Sequence, residues 1–96
     1  MWEGIEMARM DMLMVSGAEL AAQSATPDAL FELGMMYCTG RDEVEPDLIA
    51  AHKWFNLAAL RGNKAALEYR RELAHEMSQF DVAEAQKRAR EWLGGH

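Results

Sequence analysis

Apolar residues recur at helical spacing along most of the chain. Ala29, Leu33, Met36 and Tyr37 fall at i, i+4, i+7 and i+8, which is one face of a helix. Thr26-Pro27-Asp28 starts that helix with a capping hydroxyl, a proline at the first helical position and an acid facing the positive helix end. Gly40 closes it in a left-handed conformation. Pro46-Asp47 repeats the start signal. Leu48, Ala51, Trp54 or Phe55, and Ala58 or Ala59 then trace a second face. Gly62 stops this helix and Asn63 caps the next, whose stripe is Ala66, Leu67, Arg70, Leu73 and Ala74. Ser78 with Asp81 forms a shortened capping box, and the stripe that follows is Val82, Ala85, Ala89, Trp92 and Leu93. Residues 1–25 read as a further helix with two apolar sides. Trp2, Ile5, Leu13 and Leu20 share one, and Met7, Met14, Ala18 and Ala21 share the other. A helix apolar on two sides needs covering twice. The pattern predicts a single all-α domain of about five helices over the 96 residues.

The pattern also repeats. A shift of 37 residues places Ala21-Ala22 on Ala58-Ala59, Ala25 on Gly62 and Ala29 on Ala66. A shift of 38 places Ala51, Trp54 and Phe55 on Ala89, Trp92 and Leu93. That period suits a helix-turn-helix unit of a solenoid. The chain divides into an N-terminal helix, one clear unit over 28–62 and a degenerate unit over 63–93. Gly34 stands in the middle of a helix, where glycine costs about 1 kcal/mol against alanine. Close helix-helix contact is the expected compensation, with Ala58 and Ala59 admitting the neighbouring backbone and the Trp54 ring filling the space beside them.

Ala29, Leu33-Gly34, Tyr37, Gly40, Val44-x-x-Asp47, Ala51, Trp54, Ala58-Ala59, Gly62 and Ala66 stand in the order and spacing of a motif. Over residues 28 to 66 the chain resembles the Sel-one-like repeat family, a relative of the tetratricopeptide repeat. The Gly40–Val44 loop is one residue longer than that family's usual loop. The resemblance implies a short superhelix of antiparallel helix pairs and a role as a protein-binding adaptor or scaffold. In such folds the first helices of successive units line a concave face. Phe31 and Met35, then Glu68 and Glu72 by the 37-residue shift, are expected there, pointing away from the core as partner-binding residues.

Charge and chemistry narrow the classes further. The net charge is −6, and it is uneven: residues 1–48 hold ten acids and two bases, residues 49–96 six acids and eight bases. An acidic chain without clustered cations and interleaved aromatics is a poor ligand for nucleic acid, despite Arg70, Arg71, Lys87, Arg88 and Arg90. His75-Glu76-Met77-Ser78-Gln79 begins like a zinc-protease motif, but Gln79 replaces the second histidine. Asp42, Glu43, Glu45 and Asp47 do not have calcium-loop spacing. His52 and His75 read as structural histidines, and the lone Cys38 as a buried reduced thiol. No catalytic residues, cofactor or metal are expected, so the chain reads as a non-enzyme. No apolar run reaches the ~20 residues of a membrane span, and the Met-rich start carries acids where a secretory signal has cations, so cytoplasmic residence is expected. With fewer than three full repeats to close a core, a homodimer through Met7, Met10 and Met14 is the alternative role.

Overall fold

A computed structural model of the chain describes residues 26–40 and 45–95. Four helices make up these residues: α1 (Pro27–Thr39), α2 (Leu48–Leu60), α3 (Lys64–Glu76) and α4 (Gln79–Gly95). The fold is all-α. The expected N-terminal helix, with Met7, Met10 and Met14, lies outside the described residues, as does the 41–44 stretch that holds Asp42, Glu43 and Val44.

The punctuation of the chain acts as the sequence indicates. Thr26 Oγ1 accepts a hydrogen bond from the Ala29 amide at 3.2 Å, with Pro27 in the first turn. Asp47 differs from Asp28 in its duty. Its carboxylate is itself the cap of α2, accepting from the Ala50 amide at 3.1 Å. Its own N–H donates to the Tyr37 carbonyl at 2.8 Å, which satisfies an end group of α1 and turns the chain back on itself. At the end of α2, Asn63 N–H bonds to the Ala58 carbonyl and Gly62 N–H to that of Ala59. This is the six-to-one and five-to-two pattern of a Schellman turn, and Gly62 supplies the positive φ of 112° that it requires. Asn63 Oδ1 then caps α3 through the Ala66 amide at 2.8 Å, and Ser78 Oγ caps α4 through that of Asp81 at 3.0 Å.

The helix α2 is the hub. α1, α3 and α4 all pack on it, while α3 and α4, though joined by two residues, pack on α2 rather than on each other. The sequence of α2 dictates this position. Ala51, His52, Trp54, Phe55, Leu57 and Ala58 are all buried and spread around the helix, and a helix apolar nearly all round must be enclosed. Trp54 and Phe55 are therefore not alternatives on one face. Phe55 meets α1: a Cβ built on Gly34 would lie 2.5 Å from its Cε1 and 2.9 Å from its Cγ. Trp54 meets α4, its ring edge-on to Trp92 at 5.8 Å between centroids. The ring that occupies the space at Gly34 is thus Phe55 rather than Trp54.

Several stripe assignments shift accordingly. Leu30 and Leu57, absent from the expected stripes, are among the most deeply buried side chains. Ala29 is exposed although its repeat equivalent, Ala66, is fully buried. The difference is a neighbour: α2 covers Ala66, and no described helix precedes α1. Leu67 and Leu93 are exposed, because α3 and α4 each turn a single narrow face toward α2 and neither covers the other. Ala85, Ala89 and Trp92, at i, i+4 and i+7, are the buried face of α4.

Candidate functional site

The helices α1 and α3 lie side by side above α2, held by side chains while their backbones scarcely approach each other. At one end Asn63 Nδ2 donates to Asp28 Oδ1 at 3.1 Å. In the middle Phe31 and Tyr69 meet edge to face, with ring centroids 5.4 Å apart. At the far end the Glu76 carboxylate is close enough to Cys38 to help push its thiol pKa up, after burial as the larger cause. The paired numbers rise together, so α1 and α3 run in the same direction. Two parallel helices spaced by side chains leave a groove between them, and α2 forms its floor.

Beneath the middle of this seam lies Phe55 of α2, fully buried under Phe31 and Tyr69. Phe55 stacks on Tyr69 at 5.4 Å with an interplanar angle of 29°, and tilts against Phe31 at 5.6 Å. Offset and edge-to-face ring pairs of this kind add about 0.5–1.5 kcal/mol each beyond the area they bury. Beside it, the part-buried Arg70 guanidinium donates to Asn56 Oδ1. His52 is 2 % exposed, and its Nδ1 finds no hydrogen-bond partner among the described residues. Burial lowers its pKa, and the neighbouring Arg70 cation lowers it further. His52 is therefore a core imidazole whose burial favours the neutral form, more deeply buried than the structural histidine that the sequence suggests.

Of the four residues expected on the partner-binding face, the structure places Phe31 and Met35 on the α1 wall and Glu68 and Glu72 on the exposed side of α3. Phe31 does not point away from the core. It is half-buried, wedged against Phe55 and Tyr69, and Met35 also packs against the core. The reason is that Tyr69, one residue past the position that the 37-residue shift equates with Phe31, reaches across and closes on it. Glu68 pairs with Arg71 at 3.4 Å on the surface. Tyr69, Glu72 and Glu76 share one face of α3 at i, i+3 and i+7. The motif residues did not mark Tyr69 or Phe55 as site residues. An aromatic one residue past the position that the 37-residue shift equates with Phe31 was the signal available.

Arg88 pairs with Glu84 at 2.8 Å and Lys87 with Glu91 at 4.0 Å along α4. The basic character of the last third is thus partly cancelled within its own helix. Among the described residues no group of three or more His, Cys, Asp or Glu side chains is placed to hold a metal ion, and no helix is long and apolar enough to cross a membrane.

No curated protein and no solved structure matches the chain. A protein family does: the Sel1 repeat matches residues 27–63, which run from the first residue of α1 to the cap of α3. The matched segment thus takes in the α1–α2 hairpin, the Phe55–Gly34 contact and the Schellman turn. Residues 27–63 thus carry a Sel1 repeat, in an all-helical chain.

Proposed function

We propose that this chain is a non-enzymatic protein-protein interaction module, an adaptor that holds a segment of another protein in the groove between α1 and α3. The reading is supported by the Sel1 repeat itself, a helical unit suited to protein interactions, and by the side-by-side placement of α1 and α3. The Phe31–Tyr69 contact is the single observation that carries it. It holds two helices of successive units at a fixed spacing with part of an aromatic surface open, since Tyr69 is still 39 % exposed. Rigid, partly exposed aromatics in a preformed groove are what dominate binding energy at protein interfaces. Met35 extends the apolar wall, and its flexible thioether adapts to the shape of what it meets. Glu68 and Glu72 supply the polar rim.

Affinity capture with the full chain, read by mass spectrometry, tests this reading. A specific partner captured by the unaltered chain is expected to be lost with Phe31→Ala and with Glu72→Lys, and retained with Arg90→Glu on α4. Folding of each variant is checked by helical circular dichroism. A partner that survives both groove changes and is lost with Arg90→Glu places the binding surface on α4 and ends the groove reading.

A further inference from the structure

The two walls of the groove differ in chemistry, and the difference names a class of partner. On α1 the wall is Phe31, Met35 and Cys38, at i, i+4 and i+7, all half-buried and none charged. On α3 it is Tyr69, then Glu72 and Glu76, both exposed. Among the described residues neither of these carboxylates is paired with a base: Arg71 is taken by Glu68, and Arg70 is turned to Asn56 on the floor. The same end of the groove holds the C-termini of α1 and α3, which are parallel. Each helix end carries the negative pole of its dipole, although in α1 the Met36 and Tyr37 carbonyls already accept from Gly40 N–H and Asp47 N–H. α1 carries no base at all, and the last turn of α3 has only His75. Two carboxylates and two helix C-termini thus point the same sign of potential at one end of the Phe31–Tyr69 contact.

From this we infer that the partner segment is cationic and amphipathic: a peptide whose apolar side chain seats against Phe31 and Tyr69 and whose Lys or Arg reaches Glu72 and Glu76. The charge complementarity is local. The long stem of a Lys or Arg suits the apolar α1 wall, while its head lies at the carboxylates on the opposite wall. An acidic or uncharged segment meets repulsion or no attraction at that end. The inference rests on the reading of the groove as the binding site, and the test separates the two.

The test is selection of a random short-peptide library displayed on phage against the full 96-residue chain, followed by titration of the recovered peptides by fluorescence anisotropy. The expected peptides are enriched in Lys or Arg alongside an apolar residue. Their affinity falls about fivefold or more with Glu72→Gln/Glu76→Gln, as two exposed ion pairs warrant, and weakens with added salt. It is unchanged with Asp81→Asn/Glu91→Gln, which removes the same charge from α4. Glutamine at these exposed sites leaves the fold intact, so the loss is read on a folded chain. Peptides that need Phe31 but lack basic residues overturn the cationic inference and leave the groove reading standing. Peptides that ignore both Phe31 and the two glutamates, an equal loss with the α4 control, or no peptide recovered overturn it as well, and the first of these takes the groove reading with it.

Discussion

At the scale of single residues, two glycines do opposite jobs. Gly62 has no atom near its missing side chain, and its need is purely conformational, a φ of 112°. Gly34 sits in ordinary helix and its need is space, because the Phe55 ring lies where a Cβ would be. Gly34→Ala should therefore destabilise the protein, although alanine is the better helix former by about 1 kcal/mol. Overpacking costs of about 1–3 kcal/mol outweigh that gain, and a fall in Tm of about 4 °C or more is expected. Gly94→Ala, where nothing lies within 4 Å, is the control and should leave stability within about 0.5 kcal/mol of that of the unaltered chain. Equal behaviour of the two variants in thermal unfolding would remove the packing argument. His52 adds a pH dependence of known sign. Its pKa is lowered from 6.5 in the folded protein, so near and below that pH the unfolded chain binds the proton more readily. Stability from this group is complete above about pH 6.5 and declines as pH falls, until the lowered folded pKa is passed. Urea unfolding across that window should show the decline, and His52→Gln should flatten it. A His52→Gln slope equal to that of the unaltered chain would place the effect elsewhere.

At the scale of elements, the boundaries were legible and the faces only partly so. Helix ends are written in local chemistry, and Thr26, Gly40, Gly62, Asn63 and Ser78 each act within a few residues of their own position. Faces depend on what lies opposite. The stripe Ala29, Leu33, Met36 and Tyr37 is a correct helical period laid about one residue off the buried line, whose centre is Leu30 and Gly34. In α2 a single stripe was the wrong description, since Phe55 faces α1 and Trp54 faces α4. The polar content of α2 was the available clue. Its thirteen residues include only His52, Lys53 and Asn56 as polar side chains, and His52 is itself buried. That Trp54 would meet Trp92 needed the path of α4 over α2, which no local signal carries. The groove was legible in outline, because the repeat period set α1 and α3 as equivalents. The contact that closes Phe31 was not, because Tyr69 lies one residue off that period.

At the scale of the whole molecule, stability converges on one helix. α1, α3 and α4 each bury their main face against α2, and pairs of outer helices add little to one another. Loss of α2 therefore removes the main interfaces among the described helices at once, whereas an outer helix can open alone. The groove shares this dependence. Phe55 is buried against both Phe31 and Tyr69, so α2 helps set the spacing of α1 and α3. Native-state hydrogen exchange followed by NMR tests this arrangement most directly. The slowest amides should lie in α2 between Ala51 and Ala58, exchanging with the free energy of global unfolding, with the exposed ends of α3 and α4 exchanging sooner through local opening. Amides of α2 that exchange as fast as those of α4, or a most-protected set centred on α3 or α4, would contradict it.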